Sequence, residues 1–302
     1  MRRCLIPIAV AMAALAKATP AVAITGGEPD AGRHPYVALM QSYDANNRPL
    51  QVCTGALVSP TLFLTAGHCV AEPHATSHVE VWFVEDIFSV FDIDYLLALF
   101  FEPNFTGSCT HTPAFDGYPC KGDAGGKPHA HPDYCFECRK GMLRQVSRDV
   151  AVVTLDHPVP TTTVRRYAQL PQPRQADGLA NRSLIDLVGF GVQFQRDLPG
   201  NATPKPPPFF RWDGSGKRMT TAAELVTGSY QSSDERIRLT ANDDEGTGGL
   251  SFGDSGGADL VHGTDSVVAV NSFVTNSNCK GVVYTERVDP PEVLAWIARF
   301  MK

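Results

Sequence analysis

The chain has little charge, no surplus of basic residues and no apolar run long enough to span a membrane. Charged residues make up 19% of its 302 positions and hydrophobic residues 43%, which excludes a disordered or fibrous protein. Lysine and arginine (26) are fewer than aspartate and glutamate (32), so the basic footprint of a nucleic-acid-binding protein is missing. The apolar run from Leu5 to Ala16 covers about a dozen residues, whereas a membrane helix needs roughly 20.

The first residues have the features of a secretory signal peptide. Arg2 and Arg3 form a positive start, the apolar run follows, and Ala21-Val22-Ala23 is a small-residue cleavage site. We therefore expect residues 1–23 to be removed and residues 24–302 to be secreted to the extracellular side, with no membrane attachment. A membrane anchor is the alternative.

Cysteine usage fits this oxidising compartment. Cys4 would leave with the signal, so seven of the eight cysteines would remain. A secreted chain forms disulfides by default, and an odd number predicts one thiol that is free or intermolecular.

Short runs of β-type residues recur along the chain, separated by clusters of glycine, proline, asparagine and aspartate. The counts of glycine (26) and proline (23) indicate many turns. This pattern predicts β-barrels or sandwiches. The clearest runs are Val79–Val84, Val150–Leu155, Leu184–Val188 and Val267–Phe273.

Three segments depart from this pattern. Residues 102–145 and 195–222 contain few such runs, and both are interpreted as long surface insertions. At the C-terminus, Asp289 is a candidate N-cap followed by two prolines, and an apolar stripe predicts a helix over residues 289–301 that packs on the domain.

Three short motifs point to nucleophilic catalysis. They are Leu64-Thr-Ala-Gly-His68-Cys69, Arg148-Asp149 directly before an apolar run, and Gly253-Asp-Ser255-Gly-Gly257. A serine hydroxyl needs an imidazole to take its proton, and the imidazole needs a carboxylate to orient it and stabilise its charge. Glycines around the serine let the backbone turn tightly, so that N–H groups can face a developing oxyanion.

These motifs, in this order, resemble those of the trypsin/chymotrypsin-like serine endopeptidases. Ile24-Thr-Gly-Gly27 resembles the mature N-terminus of that family, and Val188-Gly-Phe-Gly191 resembles the strand that opens its second barrel. The resemblance implies an all-β fold of two packed antiparallel six-stranded β-barrels with a C-terminal helix. Barrel one would span about residues 24–158 and barrel two about residues 180–288.

The resemblance also implies residue roles. Ser255 would be the nucleophile, His68 the general base and acid, and Asp149 the orienting carboxylate. The N–H groups of Gly253 and Ser255 would form the oxyanion hole, Ser272 would bond near Asp149, and no cofactor or metal would be needed. The family pattern further implies a Cys53–Cys69 disulfide. Other aspartates between His68 and Ser255 stay open as alternatives to Asp149, namely Asp92, Asp94, Asp116 and Asp133.

In this family the amine of the first mature residue pairs with the aspartate before the nucleophile. The corresponding pair here is Ile24 and Asp254. Ala23 precedes Ile24, so no basic activation site exists, and we expect signal cleavage itself to expose the amine. A buried Asp254 would need such a partner, because an unpaired internal charge is costly.

The specificity pocket departs from the trypsin pattern. Gly249 occupies the position where trypsin-type members have an acidic residue, so a preference for arginine or lysine is not expected. Beyond Ser272, Phe273 and Val274 follow where glycine is common, and Val282 would form the opposite wall. These residues predict a narrow pocket for small or medium aliphatic side chains. Ser251 stands where the family has a cysteine partner for Cys279, so that bridge cannot form.

One insertion is rich in metal-ligand residue types, and disulfides and zinc are the two interpretations of it. Its spacing Cys135-Phe-Glu-Cys138 is that of half a zinc knuckle, while the secreted setting favours disulfides. The residues concerned are Cys109, His111, Cys120, His129, His131, Cys135 and Cys138.

The sequence thus predicts a secreted, monomeric serine endopeptidase that acts on proteins or peptides and binds no nucleic acid. The alternative is a catalytically silent secreted binding protein on the same scaffold. An esterase of the α/β-hydrolase type is disfavoured, because its serine precedes its histidine in the chain, whereas His68 precedes Ser255.

Overall fold

The computed structural model describes residues 24–71, 75–91, 120–136, 146–191, 194–195, 212–213, 216–227, 233–242, 246–275, 279 and 281–301. The predictions for residues 1–23, and for most of the two insertions, lie outside these residues. No helix in the described part is long and apolar enough to cross a membrane.

The first barrel is a closed ring of six antiparallel strands. Neighbouring strands around the ring follow the order β2-β3-β4-β7-β6-β5, and β5 pairs again with β2. Its interior is filled by buried aliphatic and aromatic side chains such as Leu39, Phe63 and Val152. The strands are β2 (Val37–Tyr43), β3 (Pro49–Ser59), β4 (Leu62–Thr65), β5 (His78–Trp82), β6 (Ala124–Ala130) and β7 (Ala151–Leu155).

The second barrel also has six antiparallel strands, and it closes because one of them pairs on both edges. These strands are β8 (Leu184–Gly189), β11 (Met219–Val226), β12 (Arg236–Ala241), β13 (Ala258–Val261), β14 (Val267–Val274) and β15 (Gly281–Arg287). Strand β11 pairs with β8 along most of its length and with β12 at its end, which completes the ring. The short strands β9 (Phe194–Gln195) and β10 (Trp212–Asp213) form a separate ladder.

The two-barrel fold predicted by the resemblance is confirmed, with one difference at the N-terminus. Strand β1 (Glu28–Pro29) pairs with β11, and Thr25 bridges to Gly249. Residues 25–29 therefore lie against the second barrel, whereas the prediction placed residues 24–158 in the first.

Both segments interpreted as insertions contain a barrel strand. Strand β6 lies within residues 102–145 and pairs with β5 and β7. The start of β11 lies within residues 195–222. Strand β6 is Ala-Gly-Gly-Lys-Pro-His-Ala and lacks β-branched residues. A Cβ at Gly126 would collide with the Thr154 backbone, so close strand packing selects glycine over the residues that indicate a strand.

The C-terminal helix is present but shorter than predicted. Helix α1 (Pro291–Ala298) buries Val293, Trp296 and Ile297. Asp289 does not cap it, because the Asp289 carboxylate accepts hydrogen bonds from the Arg287 guanidinium and from the Ala176 backbone N–H.

Candidate active site

His68 and Asp149 are brought together by two paired strands of the first barrel. Thr65 at the end of β4 pairs with Ala151 at the start of β7, so the residues beyond these ends are neighbours. His68 lies in the short 3₁₀ turn Gly67–Cys69 that follows β4. Its Nδ1 is 2.8 Å from Asp149 Oδ2, and its backbone N–H donates to Asp149 Oδ1 at 2.8 Å. The same carboxylate thus fixes both the ring and the backbone of His68.

A hydroxyl from the second barrel completes the environment of Asp149. Ser272 Oγ donates to Asp149 Oδ2 at 2.5 Å, as the resemblance implied, and the carboxylate is fully buried. Burial raises the pKa of Asp149, but the charge of His68 and the hydrogen bonds from His68 and Ser272 outweigh it and hold that pKa below its ordinary value. Burial lowers the pKa of His68, yet the Asp149 charge and hydrogen bond outweigh burial and raise it. Asp149 therefore stays ionised and favours the imidazolium.

Ser255 lies in a glycine turn that is anchored to the first barrel. The Ser255 carbonyl oxygen accepts from the Thr54 N–H at 2.8 Å, and Thr54 Oγ1 donates to the Gly253 carbonyl at 2.8 Å. The Cys53–Cys69 disulfide implied by the family pattern is present, and Cys69 Sγ lies 3.7 Å from the Ser255 carbonyl oxygen. These contacts place the serine backbone beside the residue that follows His68. Thr54 belongs to none of the three motifs, and its one signal in the sequence is its position next to Cys53.

The serine hydroxyl and the imidazole are not hydrogen-bonded to each other. Ser255 is half-buried, and within the described part of the chain its Oγ makes no hydrogen bond to His68. Such contacts are often long in an unliganded site and tighten when substrate binds. The structure therefore brings His68 and Asp149 into direct contact and holds the Ser255 backbone beside Cys69, the residue that follows His68.

The backbone around Ser255 provides donors for an oxyanion. Gly253 has φ +102° and Gly256 has φ +80°, conformations that favour glycine. Within the described residues, no acceptor is bonded to the N–H of Gly253 or of Ser255. These two groups could therefore receive a negatively charged oxygen bound next to Ser255.

A small cavity of about 220 Å³ opens beside Ser255. Of the residues proposed for the substrate pocket, Ser272, Phe273 and Val274 line it. Gly249 does not, because it pairs with Thr25 and packs against Ala241 beneath the N-terminal segment. Val282 does not either, because it lies on β15 opposite Thr240. The full lining is Leu250, Ser251, Phe252, Asp254, Ser255, Asn271, Ser272, Phe273 and Val274.

Cys279 is the one free thiol among the described cysteines, and it is buried beside this cavity. Burial raises the pKa of Cys279 to about 11, and the Ser251 side chain lies next to it. Because residue 251 is a serine, Cys279 cannot form the disulfide of the family pattern and remains a buried thiol with a raised pKa.

Asp254, the residue before Ser255, has no cationic partner among the described residues. Its carboxylate is fully buried and accepts only from the backbone N–H groups of Gly191 (2.7 Å) and Ser251 (2.9 Å). Burial raises the pKa of Asp254 to about 7, although these two bonds lower it. Ile24 is also fully buried and packs with Leu250 in the core of the second barrel.

The cysteine- and histidine-rich segment has a structural explanation where it is described. Cys120 and Cys135 are both disulfide-bonded, which removes the thiolates that a zinc ion would need. His129 and His131 pack on the C-terminal helix region, at 4.7 Å from Phe300 and 4.9 Å from Trp296 between ring centroids. The predictions for Cys109, His111 and Cys138 lie outside the described residues.

One group of metal-ligand residue types lies at the site itself. Potential ligand atoms of Cys53, His68 and Cys69 are within 4.8 Å of one another. The two sulfurs are joined in the disulfide, and His68 Nδ1 is hydrogen-bonded to Asp149. These three residues therefore fit acid–base catalysis by His68 better than metal binding.

Comparison with known proteins finds similarity to one family model and to solved structures. Residues 23–111 match the family model described as Trypsin. No curated protein sequence matches the chain. A solved structure of HL collagenase is similar, with a TM-score of 0.57 at 17% identity over 93% of this chain and 96% of that one. Human heparin binding protein is similar too, with a TM-score of 0.56 at 15% identity over 91% of this chain and 96% of that one.

At these identities the solved structures establish the fold, and the family model adds the sequence signature around His68. With the two closed barrels, they show a chymotrypsin-like fold whose N-terminal part, residues 23–111, is similar to the Trypsin family.

Proposed function

We propose that this chain is a secreted serine endopeptidase that hydrolyses peptide bonds through an acyl-enzyme on Ser255. The supporting observation is the buried Asp149 carboxylate, which bonds to the ring and the backbone of His68 and accepts from Ser272. A carboxylate that is held so tightly behind an imidazole orients the other ring nitrogen towards the serine turn and stabilises the imidazolium.

The reaction uses these groups in two stages. Ser255 Oγ attacks the carbonyl carbon and passes its proton to His68 Nε2, while the carbonyl oxygen becomes an oxyanion facing the N–H groups of Gly253 and Ser255. Collapse of this intermediate breaks the C–N bond, and His68 gives its proton to the departing amine. Water then attacks the acyl-enzyme with His68 again as base, which releases the acid and restores the hydroxyl.

The cavity beside Ser255 supports an apolar side chain at the position before the cleaved bond. Leu250, Phe252, Phe273 and Val274 form most of its wall. The acidic group in the lining is Asp254, whose carboxylate is buried and engaged by backbone N–H groups. An arginine or lysine side chain would find no exposed carboxylate among these lining residues, so aliphatic residues are the proposed substrates.

Activation by exposure of Ile24 belongs to the same proposal. Signal cleavage after Ala23 would release the Ile24 amine, and Ile24 is already buried in the second barrel that contains Asp254. An ammonium there would give Asp254 the charged partner that it lacks in the described residues. The enzyme would then act outside the cell as a monomer on proteins or peptides, without a cofactor.

A catalytically silent binding protein is the second candidate. The observation that favours it is that Ser255 Oγ makes no hydrogen bond to His68. On this interpretation the site geometry would be a remnant of the scaffold, and binding would occur without turnover.

Hydrolysis of a short substrate series separates the two candidates. Peptide substrates with Ala, Val, Leu, Phe or Arg before the cleaved bond are offered to the wild type and to Ser255→Ala. We expect turnover of the aliphatic members that Ser255→Ala abolishes. A strong preference for Arg would contradict the proposed pocket, and equal rates with Ser255→Ala would contradict the proposed nucleophile.

A further inference from the structure

The interior of the second barrel contains a group of buried polar side chains. Asp259 is fully buried, and in the described part of the chain its carboxyl group has the Thr285 hydroxyl as a hydrogen-bonding neighbour but no cationic partner. Asn271 Oδ1 is buried and has no partner among the described residues. Buried polar groups are nearly always fully paired, so the carboxyl and amide oxygens here leave room for a further donor.

Strand register shows that Asp259 faces the interior of the barrel. Asp259 on β13 pairs with Leu187 on β8 and with Ala269 on β14. Directly paired residues of antiparallel strands point to the same face, and both of these partners lie in the core that contains Ile24. The Asp259 carboxyl group is therefore directed into the core around Ile24.

Asp254 faces the same interior space. A Cβ at Gly189 would collide with the Asp254 carboxylate, and Gly189 lies two residues after Leu187 on β8, on the same face. Burial and, to a smaller extent, the charge of Asp254 raise the pKa of Asp259 to about 8, although the Thr285 hydrogen bond lowers it. Among the described residues, Asp254 is the charged side chain whose charge acts on Asp259, and Thr285 is the polar side chain next to Asp259.

A cation that enters this core would supply donors and balance the charge of the two carboxyl groups. No lysine or arginine of the described residues bonds to Asp254 or Asp259. Hydrolysis of the Ala23–Ile24 bond adds water and yields a carboxylate on Ala23 and an ammonium on Ile24. That ammonium has three N–H donors and starts from a fully buried residue of the same core, where the Asp254 and Asp259 carboxyl groups could accept from it.

We infer that Asp259 is a second carboxyl partner, beside Asp254, for the ammonium of the mature Ile24. This inference rests on the proposed activation by Ile24. Asp254 would lose its proton to solvent when the ammonium enters, and Asp259 would add acceptor atoms and negative potential on the far side. The expected consequence is that the ammonium keeps its proton to higher pH, so the active arrangement persists further into the alkaline range.

The test compares three variants of the mature chain whose first residue is confirmed as Ile24 by mass. Asp259→Asn and Asp259→Leu remove the second carboxyl group, and Asp234→Asn is the matched control at an exposed aspartate. kcat/KM is followed from about pH 6 to pH 11. We expect the alkaline midpoint to fall by about one pH unit in both Asp259 variants, which is a tenfold change in the equilibrium, while Asp234→Asn overlays the wild type. Unchanged midpoints in folded Asp259 variants would overturn the inference.

A chemical titration keeps the inference testable without activity. The rate at which acetic anhydride modifies the Ile24 amine is measured against pH by peptide mass spectrometry. The amine should titrate well above its ordinary pKa of about 8 in the wild type, and about one unit lower in Asp259→Asn. An amine that titrates near about 8 in the wild type would overturn the inference. A protein that shows the raised titration but hydrolyses no substrate would contradict the proposed function alone.

Discussion

At the scale of single residues, the proposed chemistry depends on the negative charge of Asp149. Its two oxygens accept from the His68 ring, the His68 N–H and Ser272, so loss of the charge would disturb the tautomer of His68 as well as its pKa. A neutral amide of the same shape separates these electrostatic effects from packing.

Asp149→Asn should therefore lower kcat by roughly 10⁴-fold while the protein stays folded. The matched control is Asp133→Asn, because Asp133 is another aspartate between His68 and Ser255 and is 77% exposed. Its kcat should stay within about twofold of the wild type. Comparable losses in both variants would contradict the assignment of Asp149.

The raised pKa of His68 gives a pH prediction for the same pair. The imidazole must be neutral to take the serine proton, so kcat/KM should fall as the pH decreases through the pKa of His68. The Asp149 charge raises that pKa, hence the acidic midpoint should lie above about 6.5. A pH–rate profile measures it, and a midpoint well below about 6 would be inconsistent with the His68–Asp149 contact.

At the scale of elements, the glycine turn around Ser255 fits closely against two strands of the first barrel. A Cβ at Gly256 would collide with Thr65 Oγ1 and with the Thr54 carbonyl, and a positive φ makes any side chain unfavourable there. The hydrogen bonds from Thr54 to the serine turn depend on this close approach, and so does the position of Ser255 relative to His68.

Gly256→Ala should consequently remove most activity and destabilise the fold by more than about 3 kcal/mol, because backbone atoms cannot move aside. Gly263→Ala is the control, since Gly263 also has a positive φ (+71°) but has nothing within 4 Å of the added Cβ. We expect it to cost about 1 kcal/mol, from backbone strain alone. Urea unfolding of both variants provides the comparison, and similar losses would contradict close packing at Gly256.

The sequence predicted those elements whose residues carry a strong local signal. The runs beginning at Val79, Val150, Leu184 and Val267 correspond to β5, β7, β8 and β14. Strand β6 was not predicted, because its close packing against β7 requires glycine, a residue that is not typical of strands. The Asp289 cap was wrong, because Arg287 competes for the same carboxylate.

For the site, the motif order predicted the contact of His68 with Asp149 and that of Ser272 with Asp149. It did not predict the cavity walls at Gly249 and Val282, which depend on how the N-terminal segment packs. The roles of these residues in catalysis stay predictions.

At the scale of the whole molecule, three fully buried acids make stability depend on pH in an unusual direction. Burial raises the pKa of Asp254 to about 7, and the pKa values of Asp259 and Glu286 to about 8. The folded state thus holds these protons more tightly than the unfolded state, in which the pKa values are about 4. Their contribution to stability is complete below about pH 4 and is lost as the pH rises to about 8.

A form that keeps one residue before Ile24 should consequently melt at lower temperature as the pH rises from about 5 to about 8. The loss over this range should be about 3 kcal/mol from Asp254 alone, because about two pH units separate pH 5 from its pKa of about 7. The mature form should lose less, because its ammonium pairs with the ionised carboxylates. Melting curves on the Ser255→Ala background avoid self-digestion, and a Tm that stays constant or rises in the extended form would contradict the raised pKa values of these buried acids.

Covalent labelling is the most direct test of the central claim, which is that His68 and Asp149 activate Ser255. The mature wild type, Ser255→Ala and His68→Ala are treated with a fluorophosphonate, and the adducts are counted by intact mass. We expect one adduct per wild-type molecule, located on Ser255, none on Ser255→Ala, and labelling at least 10³-fold slower on His68→Ala. Folded wild-type protein with a free Ile24 that remains unlabelled, or that labels as slowly as His68→Ala, would contradict the account.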